Sequence, residues 1–193
     1  MKKMIFLLIS LLIIQWGFSQ EYKTSIPSLR TILKVDGGTS GLGLSFETPV
    51  SSEFLIELET GLGGGYVVEK RKVEYLTHYE DPSFYGSFKG EFYFNRGRRH
   101  KNGNTLMQNS GNFIGVGIKY TSIGIIKNLQ PNNVILTNLH IGIKRAFDKN
   151  WVFSGIAGVG YAHNLDWKNN SDYQGGEVKI THLLEIKVSY ILN

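Results

Sequence analysis

The sequence predicts an all-β protein: an eight-stranded antiparallel transmembrane β-barrel, an up-and-down meander preceded by a cleaved signal peptide. Three observations predict it. Long segments alternate apolar and polar residues with a period of two, which gives strands two unlike faces. Most of these segments run to ten residues or more, whereas soluble strands usually run about five or six and a tilted strand crossing a bilayer needs ~9–11. Beyond the N-terminal leader no apolar stretch reaches the ~18 residues of a spanning helix, so only strands could cross.

The leader reads MKKMIFLLISLLIIQWGFSQ. Lys2 and Lys3 supply a basic start, Ile5 to Ile14 is apolar apart from Ser10, and Gly17-Phe18-Ser19 is a small-x-small cleavage pattern. An apolar core of this length is too short for a spanning helix, which needs ~20 residues. Residues 1–19 are therefore assigned to the signal peptide and 20–193 to one barrel domain. The chain has no cysteine, which excludes both a lipoprotein and a disulfide-stapled secreted module. Without Lys2 and Lys3 the formal net charge falls from +5 to +3, too small an excess to point to nucleic acid.

Strand by strand, residues 28–35 place Arg30 and Lys34 on a polar side with Ile32. Leu42, Leu44 and Phe46 oppose Ser45 and Glu47. In 53–68, Phe54, Ile56, Leu58, Leu62, Tyr66 and Val68 share a face, with Glu57 and Glu59 opposite. The stretch SFYGSFKGEFYFN, 83–95, holds six aromatic rings, yet Lys89 and Glu91 sit within it; alternate positions separate Phe84, Phe88, Phe92 and Phe94 from the charges. Residues 112–122 set Ile114, Val116 and Ile118 against Lys119, and 134–145 set Leu139, Ile141 and Ile143 against His140 and Lys144. Residues 151–163 are apolar or Gly on both sides. In 177–192 the apolar face is broken only by His182 and opposes Glu185 and Lys187.

The connections alternate in length. At one end lie 49–52, 148–150 and an unexpectedly long 96–111; at the other lie 36–40 and the longer 69–82, 127–133 and 164–176. No helix is expected after the leader. Short turns at one end and long loops at the other are the habit of outer-membrane barrels, with 96–111 the exception.

Alternation leaves open which face is inside. Three features turn the apolar face outward to lipid. Aromatics gather at its two rims: Phe84, Tyr66 and Tyr161 at one, Phe54, Phe92, Phe94, Trp151 and Tyr190 at the other. The polar face is rich in Gly, which suits a narrow lumen shared with long side chains. Its charges nearly balance, as a closed interior requires. The expected lumen network is Arg30, Lys34, Glu47, Glu57, Glu59, Lys89, Glu91, Lys119, Lys144, Glu185 and Lys187, with His140 a partner of Glu57, Glu59 or Glu91.

On this architecture, and on the segment YFNRGRRHKNGNTLMQNSGNF (93–113), the chain resembles the small outer-membrane β-barrel proteins of Gram-negative bacteria. These are the OmpA-like and OmpX-like class, together with an uncharacterised family of exported barrels. The resemblance implies residence in the cell outer membrane and contact with outer-membrane lipids and the barrel-assembly machinery. It also implies an envelope or extracellular partner reached through outward loops. A monomer is expected, and a closed ring leaves no free edge from which oligomeric state could be read.

The expected function is a structural or interaction role with a charge-filled, non-conducting lumen. No catalytic, cofactor or metal site is expected: no His-x-Ser pairing is present, and His and acidic residues do not cluster with metal-ligand spacing. Two rivals stand beside it. One is an enzyme modifying lipid A or phospholipid, for which His78 in THYED and His182 beside Thr181 are the candidates. The other is a soluble periplasmic barrel holding an apolar ligand. The run RGRRHK reads either as a solvated turn or as an anionic-headgroup contact through Arg96, Arg98, Arg99 and Lys101.

Overall fold

The computed structural model describes residues 26–68, 73–76, 81–126, 133–165 and 179–192, so the leader lies outside the described residues. Among the described residues ten strands follow in order: β1 (Ile32–Gly38), β2 (Gly41–Pro49), β3 (Phe54–Gly63), β4 (Gly65–Val68), β5 (Val73–Leu76), β6 (Ser83–Tyr93), β7 (Gly111–Gly124), β8 (Val134–Ala146), β9 (Trp151–Asn164) and β10 (Lys179–Ile191). All but β4 and β5 form one closed antiparallel barrel of eight strands in up-and-down order, with β1 pairing β10 to complete the ring. Closure gives wall strands neighbours on both sides, which is how a sheet removes its edges.

The period of two fixes the two faces. Along β10, Leu184 is 73% exposed while its neighbours Glu185 and Lys187 are each 3% exposed. Along β6, Phe84, Phe88 and Phe92 point outward, and Tyr85, Lys89, Glu91 and Tyr93 are buried inside. The outer surface is thus a nearly continuous apolar belt, and the acids and lysines of the strands converge on the axis.

Glycines give the inward aromatic rings room. A Cβ on Gly43 would lie 2.4 Å from Tyr85 Oη, and one on Gly61 2.9 Å from the same atom. Tyr85 of β6 therefore reaches across Gly61 of β3 to Gly43 of β2. On β8, a Cβ on Gly142 would lie 2.3 Å from Phe113 Cζ. All three are wall positions where a side chain would collide with a ring already packed inside, and at Gly61 with the β2 backbone as well.

Several expectations are corrected here. Residues 53–68 are not one strand: β3 stops at Gly63, and β4 pairs β5 in a separate two-stranded sheet. Parity put Tyr66 and Val68 on the outer face, but both are 4% exposed. They pack with Val134, Leu136, Ala162 and Leu183, all inward-facing wall residues. The hairpin therefore folds into the mouth of the barrel, and Tyr75 Oη holds it over the β1–β2 turn with a 2.9 Å bond to Thr39 O. The first strand begins at Ile32, so Arg30 precedes it and is exposed, outside the lumen. Conversely β1 runs to Gly38, which carries Asp36 inside rather than into a turn.

The other mouth is closed by the long connection, where the expectation of no helix also fails. A six-residue helix, α1 (Arg96–Lys101), is followed by a 3-10 turn at Met107–Asn109. Gln108 and Asn109 both adopt left-handed backbone, at φ 51° and 58°, which turns the chain back under the barrel. Asn109 exchanges hydrogen bonds with the backbone of Arg30, at 2.8 Å to Oδ1 and 2.9 Å from Nδ2.

The glycine analysis generates one prediction. Gly142→Val should destabilise the refolded barrel by about 1–3 kcal/mol in urea unfolding, through overpacking against Phe113. Adding Phe113→Ala should restore part of that loss; strict additivity of the two changes would show that the ring does not lie over Gly142.

Candidate functional site

The lumen is the candidate site, and its direct ion pairs come from inward positions of six wall strands. Glu57 of β3 is its hub. Its carboxylate lies 3.0 Å from Lys34 Nζ, 3.0 Å from Lys89 Nζ, 3.2 Å from Lys187 Nζ and 3.7 Å from Lys144 Nζ. The register sets Glu57 directly opposite Glu47 of β2, a like-charge pair that repels unless bridged. Lys34 bridges it, with Nζ 2.5 Å from Glu47 Oε1 as well.

Around the hub the pairs run across the barrel. Lys144 on β8 reaches Glu47 on β2 at 2.6 Å, and Lys89 on β6 reaches Glu185 on β10 at 3.3 Å. In each pair the two strands stand four places apart in a ring of eight, diametrically opposed. Side chains meeting from opposite walls at ion-pair distance leave no straight path between them. Lys89 also touches Glu59 at 3.0 Å, and Lys187 touches Glu59 at 2.9 Å, Asp36 at 3.4 Å and Glu185 at 3.4 Å. Lys144 lies 3.3 Å from Glu91, which also accepts a 2.8 Å bond from Tyr93 Oη.

The remaining expected members stand apart. Lys119 reaches the network through a hydroxyl: its Nζ donates to Ser40 Oγ at 3.1 Å, and Ser40 Oγ donates to Glu185 Oε2 at 3.1 Å. Its ammonium also lies 4.6 Å from the centre of the Tyr85 ring, a cation–π contact. His140 is buried in the lumen but meets none of Glu57, Glu59 or Glu91. Its Nδ1 lies 2.7 Å from Asn138 Oδ1, and its ring meets Phe113 edge-on at 6.1 Å. The short Asn138 side chain two residues away takes Nδ1, and Nε2 has no hydrogen-bond partner among the described residues. Arg30 lies outside, as described, and Asp36 takes a place in the network that sequence reasoning assigned to a turn. The extension of β1 through Gly37 and Gly38 hid it, since paired glycines read as a loop.

A polar side chain joins the plug formed by 94–110 to the network. Asn109 Nδ2 donates to Glu47 Oε2 at 2.8 Å, so the terminal-end plug is fastened to the charged layer. Arg96 is 2% exposed, which corrects its expected availability to a headgroup. Its guanidinium donates to Pro27 O at 2.5 Å and Ser110 O at 3.3 Å, tying helix α1 to the N-terminal segment. Burial lowers the Arg96 pKa, but from a starting value high enough that the group stays charged. Arg98 and Lys101 are exposed, and Arg99 is half-buried with a 3.1 Å bond to Thr105 O.

His78 lies outside the described residues, and His182 is exposed on the outer face among apolar neighbours. Among the described residues no group of three or more His, Cys, Asp or Glu side chains could hold a metal ion.

No protein-family model matches the chain, and no curated protein is similar to it in sequence. Among solved structures it is similar to the crystal structure of Acinetobacter baumannii CarO2. That match has a TM-score of 0.43 and 10% identity, and covers 86% of this chain and 100% of the other. At that distance the likeness assigns neither a role nor a ligand.

The hub generates a prediction. Glu57→Gln removes a carboxylate that four lysines share and should cost ~3–5 kcal/mol, the usual cost of breaking a buried ion pair from one side. Glu53→Gln, in the exposed β2–β3 turn, should stay within about 0.5 kcal/mol. Urea midpoints of the refolded proteins check both; equal midpoints would mean that the network is not closed around Glu57.

Proposed function

We propose that this chain is an integral outer-membrane barrel protein of the OmpA-like and OmpX-like size class. In this reading its lumen is sealed and non-conducting, and it acts in a structural or interaction role through its far-end loops rather than as an enzyme. One observation carries the sealed lumen: the cross-barrel pairs Lys144–Glu47 and Lys89–Glu185 close the axis at the level of the charges. Plugs at both mouths reinforce it. An ion entering would have to displace either the β4–β5 hairpin or the Asn109 turn, then break pairs whose separation leaves buried charge uncompensated.

The location is supported by the outer surface. Apolar residues such as Val116, Ile141 and Leu184 are 60%, 62% and 73% exposed, too large and continuous an apolar surface for a protein that stays in water. Lipid supplies no hydrogen bonds, and the closed ring demands none. A soluble barrel holding an apolar ligand would need the opposite orientation, with these side chains on the axis. Phe84 and Tyr161 at the far rim, with Phe92, Phe94, Trp151 and Tyr190 at the terminal rim, suit the two interfaces of a bilayer.

The test is direct. Detergent-extracted protein should run at different gel positions with and without boiling, and should give no conductance steps in a planar bilayer. Recovery wholly in the soluble fraction would overturn the location. Steady unitary conductance from protein that shows the mobility shift would overturn the sealed lumen alone.

A further inference from the structure

We infer that the terminal end of the barrel is a binding surface for anionic phospholipid headgroups of the leaflet that surrounds it; this rests on the bilayer-spanning reading above. The segments at that end, 26–31, 50–53, 94–110 and 145–150, carry seven lysines and arginines against two acids, Glu53 and Asp148. The connections at the far end, 64–82, 125–133 and 165–178, carry seven acids against five lysines and arginines. The excess of positive charge therefore belongs to one rim. Within the terminal rim, Arg96 is spent on backbone carbonyls and Arg145 on Gly111 O and Asn112 Oδ1. The side chains of Arg30, Arg98, Lys101 and Lys149 are exposed at this rim.

A second feature locates these cations at headgroup depth. Phe147 stacks on Trp151 at 6.3 Å, and Trp151 meets Tyr190 edge-on at 5.1 Å, forming an aromatic cluster on the outer face of this rim. Trp151 is 40% exposed and Phe147 63% exposed. Trp and Tyr settle where acyl chains give way to headgroups. Lys149 precedes Trp151 by two residues, and Gln108 binds Lys149 O at 2.6 Å, which draws the folded 94–110 connection against the same turn. The cations thus stand just beyond the aromatic layer, where a phosphodiester sits. Neutral zwitterionic headgroups satisfy their own charge; an anionic headgroup such as phosphatidylglycerol does not, and gains from each nearby basic side chain. The plug at this mouth gives the patch a second use, since the segment that seals the lumen also presents Arg98 and Lys101.

Trp151 is the reporter. The chain contains three tryptophans, Trp16, Trp151 and Trp167, so Trp16→Phe with Trp167→Phe leaves Trp151 as the single indole. This protein is refolded into vesicles of phosphatidylcholine containing a fraction of phosphatidylglycerol, with bromine on the acyl chains of one lipid or the other. Phosphatidylglycerol is expected to be favoured at Trp151 by about fivefold, the effect of roughly one well-placed basic residue. The preference should disappear in Arg98→Gln/Lys101→Gln/Lys149→Gln and fall at high salt. Equal quenching by the two lipids overturns the inference, and so does a preference that survives in the triple variant. Failure of the spanning reading looks different: neither brominated lipid quenches Trp151, and no gel shift appears. Loss of the gel shift in the triple variant would transfer the comparison to Arg98→Gln alone, where a halved or smaller preference is expected and an unchanged one contradicts the inference.

Discussion

The structure depends on one constraint: the acids and lysines that cannot face the apolar outside must neutralise one another in a space too narrow for water to do it. An eight-stranded ring encloses room for side chains and little else. Glu57 satisfies the constraint by touching four ammonium groups at once. Such a network is poor evidence for high stability, because apolar side chains of equal volume can pack as favourably. Its value is in specifying register. Shifting any strand by one residue would expel its charges into the outer belt and bring apolar residues to the axis, so the network and the belt together admit one alignment.

The wall glycines belong to the same constraint. Lysines and glutamates occupy the middle of the lumen, and tyrosine and phenylalanine rings lie against the wall toward the ends. Rings fit only where the neighbouring strand has no side chain, as Tyr85 does over Gly43 and Gly61. The polar face is therefore glycine-rich for aromatic packing as well as for the long charged chains. Above and below the charges the hairpin β4–β5 and the Asn109 turn keep the ion pairs away from solvent, which strengthens every attraction among them.

Much of this was legible in the sequence because a period of two survives any change in the surroundings. The strand segments and their two faces follow from alternation; the aromatic rims, the glycines of the polar face and its balanced charges then identify Lys34, Glu47, Glu57, Glu59, Lys89, Glu91, Lys119, Lys144, Glu185 and Lys187 as inward residues. What was not legible breaks the alternation without breaking its parity. Tyr66 and Val68 keep step with Phe54 and Leu62, yet the three glycines 63–65 let the chain leave the wall and turn inside; that triplet was the available signal. Arg30 keeps step with Lys34, but the strand had not yet begun, and Asp36 lay beyond glycines that resemble a turn. Helix α1 is too short and too charged to show an apolar stripe, and its fold comes from Arg96 bonding to Pro27 and Ser110 rather than from local propensity.

The orientation of the two faces can be tested along one strand, since the chain has no native cysteine. Single cysteines from Leu184 to Tyr190 of β10, each carrying a nitroxide in lipid vesicles, would report collisions with dissolved oxygen and with a water-soluble nickel chelate. Oxygen accessibility should rise and fall with a period of two, high at Leu184, Ile186, Val188 and Tyr190. It should be low, with nickel accessibility also low, at Glu185, Lys187 and Ser189. The reverse phase, or strong nickel access at the odd positions, would contradict a greasy exterior around a closed, charge-paired axis.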